Sequence, residues 1–344
     1  YASGARISTN SWGASTYGSY TWFDRAYDAL VRDALESQPG NQEITIIFSA
    51  GNAGPSNSST GSPGNAKNVI TVGAAENYRP TWIDGCGVGS SEADSARDIA
   101  SFSSRGPTID GRTKPDLVAP GTHIQGAATQ ISDYTGYLVC DRYHPAGQTL
   151  YAASSGTSHS TPAVAGAASL FYHYYQQHFS ADPPSPAMIK AYLVNSARYQ
   201  NGLGANDDLP SASQGFGGVF LGRAFDGLPR VLVDQQVEFT QSGQVYTIRA
   251  RIVNPGQPLR ITLAWSDAPG EPYAAAYVNN LDLEIEVGGS TYLGNVFNGA
   301  FSTLGGQADS VNNVESVFLP PGQSGEVLVR VRATNIAGDG VPNN

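Results

Sequence analysis

"SSGTSHSTPAVAGAASL", residues 154–170, crowds serines and threonines ahead of a proline and then runs into small apolar residues. A helix that opens this way has an immediate reading. Pro162 belongs in a first turn, where its missing N–H costs nothing, and the hydroxyls upstream can cap orphan amides. Ala163, Ala165, Gly166, Ala167 and Ala168 keep the helix thin enough to run through the middle of a domain. Taken alone, the segment reads as a capped, buried helix. Serine at a helix start is also a good nucleophile position, because the dipole and the free amides stabilise a developing oxyanion. Ser158 is the candidate.

The flanking sequence supplies strands. "ITIIFSA" (44–50), "NVITVGA" (68–74) and "DLVAP" (116–120) are continuous apolar runs rich in β-branched residues. Such runs read as strands buried on both faces of a parallel sheet. Helical spacing over 23–37 places Ala26, Leu30, Ala34 and Leu35 on one face, with Pro39-Gly40 as the stop. Two more helices are predicted over 162–178 and 185–197, the second opened by Ser185 with Pro186 at its first position. This alternation indicates an α/β domain. After about residue 228 the pattern changes. "VLVDQQVEFT", "QVYTIRARIV", "LRITLAWSD", "LDLEIEVGG", "VESVFLP" and "GEVLVRVRA" read as short strands of period two, punctuated by Gly, Pro and Asn. The expectation is an α/β parallel-sheet domain over 1–228, followed by an all-β sandwich or jelly roll over 229–344.

A second oxyanion donor would come from a neighbouring strand end. "FSAGNAGP" (48–55) ends a buried strand in small residues and an Asn side chain. Ligands in open α/β sheets bind at the carboxyl ends of strands, which is where Asn52 stands.

These segments resemble motifs of the subtilisin-like serine peptidases. "SSGTSHSTPAVAG" is similar to the stretch around the family's nucleophile, and "SAGNAGP" to its oxyanion-hole segment. "SFSSRGPTIDGRTKPDLVAPGT" (101–122) resembles the strand and loop linking the two, and "NSWG" (10–13) the substrate-binding strand. The four occur in the family's order. "LAWSDAPG", "VNNLDLEIEV" and "NNVESVFLPP" resemble the β-sandwich of its alkaline, oxidatively stable branch. The resemblance implies a serine endopeptidase with Ser158 as nucleophile and an oxyanion hole of the Ser158 N–H and the Asn52 amide. Ser11, Trp12 and Gly13 would pair with substrate backbone as an added strand. Ala50, Gly51 and Gly61 would line the pocket for the residue before the scissile bond. His159 and Ser160 replace the family's usual Met and Ala, so His159 reads either as a modifier of specificity or pH response, or as a histidine bonded inside the fold. The family's Asp and His precede the substrate strand, and none of the histidines at 123, 144, 159, 173 and 178 lies in a matching motif. The expectation is a fragment whose triad Asp and His lie upstream, clipped also at its C-terminus, and inactive alone for want of a base. A non-catalytic peptide-binding relative is the alternative.

Composition bounds the partners. Charged residues are 14% of the 344, against about 25% in typical soluble chains. The net charge of −10 disfavours nucleic acid and anionic membrane, since phosphate contacts need Lys and Arg stripes. No apolar run is long enough to span a bilayer. Together with a single Met, this composition suits a secreted protein exposed to a harsh medium; the resemblance implies protein or peptide substrates, and a monomer is expected. Cys86 and Cys140 fit no metal-ligand spacing and are either paired or free. The chemistry requires no cofactor and no metal. Asp267, Asp282, Asn312 and Glu315 could bind a structural calcium, though turn and strand-end roles explain them equally. Trp265, Tyr273 and Tyr277 would serve carbohydrate binding if exposed, but aromatics of a sandwich usually belong to its core.

Overall fold

The computed structural model describes residues 1–340. Its first part contains β1 (Ile7–Asn10), β2 (Ala14–Ser15), α1 (Trp22–Arg32), β3 (Thr45–Ser49), β4 (Gly61–Ser62) and β5 (Ile70–Ala75). Next come β6 (Leu117–Pro120), β7 (Ile124–Ala127), β8 (Tyr151–Ser154), α2 (Thr157–His178), α3 (Pro186–Ser196) and α4 (Leu221–Ala224). The predicted apolar runs became β3, β5 and β6, which pair in parallel with β1 in the order β1-β3-β5-β6. The helices α2 and α3 cover this sheet. Val164, Ala168 and Phe171 of α2 and Ile189 and Leu193 of α3 pack on Ile47, Ile70, Val72 and Leu117. Helix α3 starts as expected, with the Ser185 hydroxyl accepting from the Met188 amide.

The remaining strands are β9 (Val245–Arg251), β10 (Leu259–Ala264), β11 (Asn280–Val287) and β12 (Ser290–Leu293). They are followed by β13 (Phe297–Asn298), β14 (Phe301–Ser302), β15 (Val314–Leu319) and β16 (Glu326–Asn335). A four-stranded antiparallel sheet, β12-β11-β16-β9, faces the β10-β15 pair across Leu283, Ile285, Val317 and Leu319. Burial alternates strictly along β11, which is the period-two signal in its plainest form. The β-rich part packs on the α/β part, with Val314 and Phe318 joining the core beneath α3.

Several expectations are corrected. No strand forms over 231–240. Helix α1 stops at Arg32, and it buries Asp24, Asp28, Val31 and Arg32 while Leu30 is exposed. Hydrophobic spacing failed there because the helix faces polar partners. Asp28 accepts from the Tyr20 hydroxyl at 2.8 Å and from the Asn68 amide at 2.7 Å, and burial pushes its carboxyl up. The proposed calcium ligands do not gather. Asp267 is paired with Lys67 at 2.7 Å. Asp282 bonds Asn280 and Thr334, while the Asn312 carbonyl accepts from the Thr113 amide. Glu315 is fully buried, and desolvation pushes its carboxyl up to about 9, so it is neutral at pH 7. Trp265 packs against the β core, whereas Tyr273 and Tyr277 are exposed. Cys86 and Cys140 form a disulfide.

Candidate active site

The nucleophile candidate sits at the second residue of α2, not ahead of it. The helix begins at Thr157, so Pro162 lies inside it, and Gly156 is the N-cap with no side-chain cap bond. Gly156 has φ 148° and ψ 156°, a conformation open in practice only to glycine. The helix is also not central. Pro162, Ala163, Gly166 and Leu170 are exposed along one face.

Pro162 carries a consequence for Ser158. An interior proline cannot donate to the carbonyl four residues back, and that carbonyl belongs to Ser158. The Ser11 hydroxyl takes the vacant place, donating to the Ser158 carbonyl at 2.9 Å. The predicted substrate strand and the predicted nucleophile are thereby joined.

Asn52 is brought to the same corner. Its Oδ1 accepts from the Thr157 amide and from the Thr157 hydroxyl, both at 2.9 Å. Two donors on the oxygen fix the amide's orientation and leave Nδ2 pointing away from them. A Cβ built on Gly156 would lie 3.4 Å from Asn52 Nδ2 and 3.8 Å from the Ser158 nitrogen. Two N–H donors therefore flank one bare glycine, and the Ser158 amide is among those that a helix start leaves without an intrahelical partner. The Ser158 side chain is half-buried. Thr157 was not foreseen. It orients Asn52, and only the tertiary contact reveals that role.

The remaining predicted residues lie after β1, after β3 and in β4. Gly61 donates to the Ala50 carbonyl at 3.2 Å, and β2 pairs with β4 beside them. Added carbons on Gly13 and Gly61 would meet Ser62 O at 3.0 Å and Ala14 O at 2.5 Å, so both glycines permit the close approach of the two segments. Gly51 has φ 106°. Trp12 is half exposed, yet its ring meets Tyr27 and Phe48 edge-on at 6.1 and 5.4 Å, which holds the 11–13 edge against the sheet.

The histidines stand elsewhere or lack a carboxylate partner. His123 is fully buried with its ring nitrogens 2.9 and 3.0 Å from the Arg79 and Val88 carbonyls. His144 stacks on Trp82, and His173 and His178 are exposed on α2. His159 is half-buried, and desolvation holds its pKa below the usual histidine value. Among the described residues, the one cluster with metal-ligand proximity is Asp84, Cys86 and Cys140, and its two sulfurs are consumed by the disulfide.

A family model described as the subtilase family, Peptidase S8, matches residues 1–217. The chain belongs to the subtilase family. Its relatives include the serine protease AprX of Bacillus subtilis, 37% identical over 145 residues, which cover 42% of this chain and 28% of that protein. The serine protease/ABC transporter B family protein tagD of Dictyostelium discoideum is 25% identical over 456 residues, covering 98% of this subtilase and 24% of tagD. Among solved structures, fervidolysin of Fervidobacterium pennivorans, a keratinolytic enzyme related to subtilisin, is 20% identical with a TM-score of 0.42. That match covers 95% of this chain and 36% of fervidolysin. The subtilase chain thus spans about a quarter of the length of the two curated relatives, AprX and tagD. No helix among its described residues is long and apolar enough to cross a membrane.

Proposed function

We propose that this subtilase is part of a serine endopeptidase that cleaves peptide bonds through an acyl-enzyme on Ser158. The observation that supports the reading is the pair of nitrogens, Asn52 Nδ2 and Ser158 N, 3.4 and 3.8 Å from where a Cβ on Gly156 would lie. In this reading the Ser158 oxygen attacks the scissile carbonyl as a base removes its proton. The carbonyl oxygen becomes an anion held by the two N–H groups. The proton passes to the leaving amine as the C–N bond breaks, and water later releases the acyl group. Residues 11–13 carry substrate backbone as an added strand, and Ala50, Gly51 and Gly61 face the side chain before the scissile bond. In this reading residues 1–228 belong to the peptidase domain and 229–344 to the β-sandwich domain, whose described residues pack on the first. The disulfide supports a secreted location, since such bonds persist in oxidising compartments.

The triad Asp and His lie in a segment upstream of Tyr1. One observation supports a covering segment: α2 exposes Pro162, Ala163, Gly166 and Leu170 along one face. A binding module that lost catalysis gains nothing from two spare donors beside a spare hydroxyl, so the catalytic reading is favoured. A serine-directed fluorophosphonate tests it. In the full-length protein it should label Ser158 stoichiometrically, and Ser158→Ala should abolish both labelling and turnover. The 344-residue chain alone should show neither. Labelling at another residue overturns the assignment, and turnover by the isolated chain overturns the upstream base.

A further inference from the structure

Beside the nucleophile turn lies a loop, residues 82–88, to which the proposed chemistry gives no task. Its Asp84 is buried. One carboxylate oxygen accepts from the Cys86 and Val88 amides at 3.0 and 2.9 Å, which shapes the loop. The other accepts from the Ser155 hydroxyl at 2.6 Å. Ser155 is the residue just before Gly156, and its oxygen also accepts from the His123 amide at 2.9 Å. Its own amide donates to Cys140 Sγ at 3.3 Å, and Cys140 is bonded to Cys86 within the same loop. The loop is braced from outside as well, because Trp82 stacks between His123 and His144 and donates to Asp141.

From this we infer that Asp84 is a positioning residue for the nucleophile: through the Ser155 hydroxyl it fixes the Gly156 pivot and hence where Ser158 points. The physical reason is the pivot itself. Gly156 has no side chain to anchor, and glycine is the residue with the widest backbone freedom. Strain at such a position persists only when the surroundings over-determine it. The Gly156 amide donates to Gly121 O at 2.7 Å, and the Asp84–Ser155 bond holds the chain one residue earlier. A charge-assisted hydrogen bond is roughly twice as strong as a neutral one, which suits a group required to hold a strained turn. A nucleophile misplaced by about 1 Å can lose about 10²-fold in rate.

The inference rests on the proposed peptidase reading, and its test separates the two. In the full-length protein, Ser155→Ala and Asp84→Ala should each lower kcat about 10- to 100-fold with KM unchanged, at temperatures where both variants are fully folded. The double variant should be no worse than the weaker enzyme of the two, since both changes cut one link. Asp84→Asn keeps a hydrogen bond to Ser155 with the donor reversed, so it should retain most activity. Hydrogen exchange at the amides of residues 155–158 reads the same link without any turnover and should quicken about tenfold or more in Ser155→Ala. A folded Ser155→Ala with kcat within twofold of wild type, multiplying effects in the double variant, or unchanged exchange would each overturn the role of Asp84. Quickened exchange in a protein whose wild type never hydrolyses peptides would instead overturn the peptidase reading and leave the link standing.

Discussion

At the start of α2, Asn52 Nδ2 and the Ser158 nitrogen stand 3.4 and 3.8 Å from where a Cβ on Gly156 would lie. In the seam between the α/β and β-rich parts, polar groups are handled in the opposite way. Lys67 is wholly buried and spends its ammonium on Asp267 and on the carbonyls of Ala268 and Ala276. Asp267 in turn accepts from the amides of Val278 and Asn279. Close by, Asp116 lies between Lys114 and Lys190 at 2.8 Å each and also takes the Thr71 amide. Burial pulls the Lys114 ammonium down to about 7, with Asp116 opposing that shift. A buried charge is tolerable only when paired and bonded, and Lys67, Asp267 and Asp116 each meet that condition. Under the proposed function the Asn52 and Ser158 N–H groups are instead kept for substrate, so the contrast is between polar residues that hold the fold and polar residues proposed for chemistry.

The sharpest way to break this contrast is to empty one place in the seam. Lys67→Met leaves the Asp267 carboxylate buried without its cation and should cost about 3–5 kcal/mol in urea denaturation. A cost under about 1 kcal/mol would mean that Asp267 does not need the Lys67 cation. At the corner, Asn52→Asp keeps the oxygen that holds Thr157 but replaces the donor with a charged acceptor. It should lower kcat by at least about 10²-fold, since the charge also repels the oxyanion, without lowering the melting temperature, because a carboxylate suits a helix start. Asn52→Leu should match that loss and also cost about 1 kcal/mol of stability, since the Thr157 amide loses its acceptor. Equal stability of the two variants would show that Asn52 does not cap α2.

The smallest expected effect concerns His159. Desolvation holds its folded pKa below the ordinary value. As pH falls below that ordinary value, the unfolded chain binds a proton that the folded site resists. The stability contribution of His159 is therefore present at neutral pH and lost on acidification. His159→Gln should flatten the acid limb of the melting-temperature curve below about pH 6.5. An unchanged limb would assign the acid sensitivity to other groups.

Much of this was legible from local pattern. Apolar β-branched runs marked β3, β5 and β6, and strict alternation marked β11. The α1 face was misread because a helix that buries Asp24 and Asp28 hides its interior side from any hydrophobic count. The segment 231–240 was misread because a period-two pattern makes a strand only where a partner strand offers its backbone. The Ser11 link was in principle readable, since Pro162 four residues after Ser158 frees the Ser158 carbonyl. The sequence could not say which donor would fill the place.

By itself, then, the sequence determined the α/β start and β-rich end of this subtilase, a helix over 162–178, and Ser158 and Asn52 as the residues to watch. These depend on periodicity and on residue chemistry within a few positions of the chain. The tertiary structure decided which way the Asn52 amide faces, that Cys86 and Cys140 bond, and that Asp84 reaches Ser155 across 71 positions. Such bonds depend on distances between segments far apart in the chain. Only the packing of α2 on its sheet, and of the loops around it, sets those distances.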